Sequence, residues 1–175
     1  MSLTITLAND LPAEAKTREQ LRGVLARHDL RRWQFTDDVR IEEGVIPHSH
    51  PVLTLSTREP SDELLLATYI HEQIHWFTLI EANREAGRCA DREWRRMYPD
   101  VPVELPEGCG SESSNYLHFT VYFFEYAGLI ELLGEESARG GMEYRAAQFY
   151  RHVYRMVLRD FPEMQAVMGR CGWTR

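Results

Sequence analysis

Residues 71–75, His71-Glu72-Gln73-Ile74-His75, carry the clearest chemistry in this chain. They lie inside the apolar run Thr68–Phe77, which reads as helix. At 3.6 residues per turn, His71 and His75 stack one above the other on a single face. Two imidazoles placed in this way can grip one zinc ion, leaving positions for a third ligand and a water. Glu72 lies beside them, where its carboxylate can take a proton from that water. The layout is that of a metal-dependent hydrolase.

The flanks lengthen the pattern. Thr68 stands three before the first histidine, uncharged Gln73 and Ile74 separate the ligands, Trp76 and Phe77 follow, and no proline interrupts. Uncharged spacers avoid competition for the metal and the burial of unpaired charge. Over roughly ten residues this segment resembles the zincin metallopeptidases. The resemblance implies bound Zn2+, Glu72 as general base and a peptide or protein substrate. The extended metzincin signature is not met, because Thr78 and Glu81 stand where its glycine and third histidine belong. A gluzincin-like site, which takes a glutamate from a later helix, remains open.

A third ligand must come from a polar group on an element buried against the motif helix. The run Asn115–Leu133 is almost uniformly apolar and offers His118 and Glu125, seven residues apart and so on one helical face with Tyr122. A glutamate between Phe124 and Tyr126 is costly to bury unless paired or metal-bound. His118 is the favoured ligand with Glu125 orienting a ligating histidine from the outer shell; Glu125 on the metal is the alternative. Glu112, Glu131, Asp91 and Glu93 complete the candidates. Zincins stabilise the oxyanion with a Tyr or His, and the resemblance nominates Tyr122, Tyr150 or Tyr154, with His152 in the same late helical stretch. His48 and His50, bracketed by Pro47 and Pro51, read as a loop near the cleft.

Around these residues the chain expects an α+β fold: a small N-terminal sheet with a helix, then a mostly helical half containing the motif helix. Residues 2–8 alternate as a strand, a helix follows to about residue 28, residues 33–46 are extended, and 52–55 form a further strand. Pro60-Ser61-Asp62-Glu63 caps the motif helix, expected over 62–84. Helix over 89–98, a Pro- and Gly-rich loop to Ser114, the apolar helix ending at Gly134, a helix over 142–158 and a short one over 162–168 complete the reading. One strand before the motif helix is expected to offer its edge to an extended peptide.

With 175 residues, 43 % of them hydrophobic and 27 % charged, one zincin-like metal-binding domain over 1–175 is expected. A net charge of −7 argues against nucleic acid as partner. Three widely spaced cysteines, Cys89, Cys109 and Cys171, suggest no disulfide and a reducing compartment. No secretion signal and no membrane span is read, so the expected address is cytoplasmic. Oligomeric state has no signature in the sequence. The rival to a metallopeptidase is a metal-binding zincin-fold protein that regulates or docks without hydrolysis; keeping Glu72, which a purely structural zinc has no use for, favours the enzyme.

Overall fold

The alternating Leu3, Ile5 and Leu7 produce strand β1 (Thr4–Leu7), and the Pro12 start produces helix α1 (Pro12–Arg27). In the computed structural model, which describes residues 3–173, two further strands follow: β2 (Asp38–Ile41) and β3 (Leu53–Leu55). All three pair in parallel in the order β1-β2-β3, with Ile5 opposite Val39 and Arg40 opposite Thr54. Parallel neighbours cannot be joined by a tight turn, and α1 supplies the crossover between β1 and β2. Val39 and Ile41 point inward and are buried, whereas Asp38 and Arg40 are exposed. The fold is mixed, with six helices and this one small sheet among the described residues, consistent with α+β. The chain falls into two compact units, Met1–Phe77 and Thr78–Arg175.

Within the first unit, Glu14 is fully buried and fastens α1 to its surroundings. Its carboxylate accepts from the Asn9 amide at 2.9 Å, the Leu11 amide at 3.2 Å and the Glu43 amide at 3.1 Å. Burial alone raises the Glu14 pKa, and these donors outweigh it and hold the carboxyl below its ordinary value. The motif helix is α2 (Asp62–Leu79). Ser61 caps it by accepting from the Leu64 amide at 3.2 Å, as the Pro60–Glu63 segment predicts. Leu64 to Ile70 are all buried, so α2 is an interior helix. It stops earlier than expected: Ile80 is extended, a single 3-10 turn covers Glu81–Asn83, and α3 (Arg84–Met97) begins anew. No Gly or Pro marks that break.

In the second unit α4 (Glu112–Leu133) packs against α3, α5 (Glu135–Ala146) and α6 (Arg151–Arg170). Ser111 caps α4 through the Ser114 amide at 3.1 Å, which draws the polar residues 112–114 into the helix ahead of the expected start. Gly134, at φ 82°, ends it as anticipated. The expected helix over 142–158 is instead broken by Tyr150, whose φ of 52° is left-handed. Pro162 lies within α6 and does not begin a separate helix, and the axis kinks at Asp160 where the ring disrupts the preceding turn. The Pro- and Gly-rich connection is ordered by hydrogen bonds. Pro106 and Glu107 carbonyls accept from the Arg151 and His152 amides at 2.9 and 3.0 Å, capping α6. At Gly108 a Cβ would sit 1.9 Å from the Pro102 carbonyl oxygen, so only glycine fits.

The cysteine reading is corrected. Cys89 of α3 and Cys171 at the end of α6 form a disulfide, with Cα atoms 5.5 Å apart. They are 82 residues apart in sequence and meet only because α3 packs on α6, which no local spacing announces. Disulfides persist in oxidising surroundings, so the cysteine count no longer supports a reducing, cytoplasmic setting. No described helix is long and apolar enough to cross a membrane.

Two outcomes test these anchors. Closing an 82-residue loop is worth about 4.5 kcal/mol in the chain-entropy account, so Cys89→Ser should lower Tm by about 10 °C or more. An unchanged Tm, or alkylation of all three cysteines without reductant, would contradict the bridge. Gln73 is fully buried and its amide holds the segment before β2: its Oε1 accepts from the Phe35 and Thr36 amides at 2.6 and 2.9 Å, and its Nε2 donates to the Thr36 carbonyl at 3.0 Å. Gln73→Leu should cost about 2–4 kcal/mol in denaturant unfolding by stranding these groups, and an unchanged midpoint would show that the clamp contributes nothing.

Candidate metal centre

Helix α2 places His71 and His75 as periodicity requires. Their Nε2 atoms are 3.2 Å apart, with ring centroids 4.9 Å apart and planes inclined at 69°. Two nitrogens bound tetrahedrally to zinc at its usual bond length lie about 3.3 Å apart. The residues present therefore fit the ion. Both imidazoles are part-buried and Glu72 is buried, 6 % exposed.

Bonds and packing around α2 hold this pair in position. Thr68 donates from Oγ1 to the Glu59 carboxylate at 2.6 Å. Gln73 adds a bond from Nε2 to the Tyr69 hydroxyl at 3.0 Å, on the side opposite the histidines. Trp76 donates from its indole to the Ser49 carbonyl at 2.8 Å, and Phe77 packs on Phe35 with centroids 4.7 Å apart. The sequence presents Gln73 only as an uncharged spacer; its role as a clamp depends on residues 35 and 36, distant in the chain, and had no local signal.

His118 lies on α4, part-buried. Its Nδ1 is 2.7 Å from the Ser114 carbonyl oxygen. A carbonyl only accepts, so Nδ1 carries the proton and Nε2 keeps the lone pair that a metal requires. Glu125, two turns further along α4, is buried, 1 % exposed.

The three tyrosines separate by environment. Tyr122 and Tyr154 are interior, stacked with centroids 3.9 Å apart, and burial drives both pKa values well above the ordinary phenol, with the Glu125 charge adding to the effect. Tyr150 is part-buried, its left-handed backbone sets the start of α6, and its ring lies 5.6 Å from that of His118. His152, also part-buried, has its pKa lowered by burial and then by Arg155, so its ring favours the neutral form.

The other candidates have surface duties. Asp91 and Glu112 both pair with Arg95, and Glu93 pairs with Arg96 at 2.6 Å; Glu131 is exposed on α4. Cys109 is the free cysteine, and burial pushes its thiol up to about 12, which keeps it protonated. His48 and His50 are exposed; His48 Nδ1 donates to the Ile46 carbonyl at 3.0 Å, and the His50 ring meets the edge of Trp76 at 4.4 Å. Comparisons with protein-family models, with curated proteins and with solved structures find no match for this chain, and the reading of the centre rests on its own residues.

Proposed function

We propose that this chain is a zincin-like, zinc-dependent hydrolase of peptide bonds, with His71, His75 and His118 as metal ligands and Glu72 as general base. The observation that carries the reading is the pair of Nε2 atoms 3.2 Å apart on α2, with buried Glu72 next in sequence to His71. Zinc held there supplies a polarised carbonyl and an acidified water. Glu72 accepts the proton from that water on its carboxylate and returns it to the leaving nitrogen, so the base is regenerated. His118 is favoured as third ligand over Glu125 because its lone pair is fixed on Nε2 by the Ser114 carbonyl. Three neutral imidazoles would hold the ion without offsetting its charge, and the chemistry that a zinc bound there would supply is a water made acidic near neutral pH.

Tyr150 is the favoured oxyanion partner of the three tyrosines. Tyr122 and Tyr154 spend their faces on each other in the interior, whereas Tyr150 is part-buried and lies against the His118 ring. Zinc-loaded protein should cleave members of a mixed internally quenched peptide library. Glu72→Gln should keep its zinc and lose about 10²–10⁴-fold in turnover; equal activity in that variant would remove the mechanism. His118→Ala should weaken zinc binding by more than about 100-fold, beyond the range of an outer-shell change, as read by competition with a chelator of known affinity. A smaller loss would move His118 to the outer shell and return Glu125 to the metal.

A further inference from the structure

Of the two sheet edges that could receive an extended substrate, β1 and β3, that of β3 is already occupied. Strand β3 is only three residues long, and it is an edge strand whose partner is β2. Leu55 faces β2, its carbonyl accepting from the Glu42 amide at 3.0 Å, so alternation turns the Thr54 main chain outward. Thr54 is therefore the strand's outward-facing donor and acceptor, and both are used. The His48 amide donates to the Thr54 carbonyl at 3.0 Å, and the Thr54 amide donates to the His48 carbonyl at 2.7 Å, in an isolated antiparallel bridge. Pro47 and Pro51 have no N–H, which confines residues 47–51 to this short pairing.

The same short strap is tied to the motif helix. The Ser49 carbonyl accepts from the indole of Trp76, the residue after His75, at 2.8 Å, and the His50 ring lies on the Trp76 edge. Residues 47–51 thus bridge the outer edge of β3 and the end of α2 that bears His75. A peptide adding itself as a strand gains most of its affinity from main-chain hydrogen bonds to such an edge. Here that pairing belongs to the chain itself.

We infer that the enzyme acts on short peptides, held close to the scissile bond, and does not bind extended polypeptide by strand addition to β3. This rests on the metallopeptidase reading above. The strap supplies specificity by exclusion: on β3, the edge that it ties to the motif helix, remote residues of a long substrate find no free main chain to pair with, so length beyond the residues flanking the scissile bond contributes nothing.

The test uses the full zinc-loaded chain and a series of internally quenched peptides sharing one scissile sequence, from tetrapeptide to dodecapeptide. Across that range kcat/KM should change by less than about threefold, since remote binding energy is not available to the reaction. In parallel, hydrogen exchange at the His48 and Thr54 amides is followed in the Glu72→Gln protein with and without the dodecapeptide. Both amides should stay slow in either condition. A rise of about tenfold or more in kcat/KM with length, or deprotection of His48 on adding the dodecapeptide, would overturn the inference. Absence of Glu72-dependent cleavage of every peptide would overturn the metallopeptidase reading instead, and the exchange measurement would then decide the strap by itself.

Discussion

Helix α2 can aim two imidazoles at one point because its other faces are fixed. A helix with one apolar stripe could rotate about its axis with little penalty. α2 is buried around most of its circumference, and Gln73, Thr68 and Trp76 each bond a different segment. Rotation by even a fraction of a turn would strand several buried hydrogen-bonding groups at once. The 3.2 Å separation of the two Nε2 atoms is thus set by helical periodicity and kept by polar anchors around the helix, with Gln73 on the opposite side.

The anchors also give the residues between His71 and His75 a structural duty. Ile74 is fully buried, and Gln73 meets Phe35, Thr36 and Tyr69 with an amide that both donates and accepts. A charged residue at either position would bury an unpaired charge next to His71 and His75. On α4 the corresponding device is simpler: a main-chain carbonyl one turn back sets the tautomer of His118, a hydrogen bond that no side-chain substitution at residue 114 removes.

Much of this was legible in the sequence, and the legible part is local. The five-residue motif, its cap at Ser61, the apolar run of α4 and its stop at Gly134 all depend on neighbours within a few residues. So did His118 and Glu125 as the polar pair on a buried helix. What escaped depends on chain segments that meet only after folding. The Cys89–Cys171 bridge spans 82 residues. The parallel direction of the sheet is set by α1 acting as a crossover, although alternation alone reads the same for either direction. The strap over β3 reads as two histidines between prolines; the prolines limit its pairing, but that His48 pairs with Thr54 is decided by the fold. The break before α6 lies at a tyrosine with a left-handed backbone, a conformation no propensity assigns to that residue.

The central claim is a metal held by three histidines with a fourth position left for water. X-ray absorption at the zinc edge tests it most directly, on protein whose metal content has been measured. The account predicts one zinc per chain, with three nitrogen ligands at about 2.0–2.1 Å and one oxygen from solvent. Absence of stoichiometric zinc, or a shell closed by four protein ligands, would contradict it.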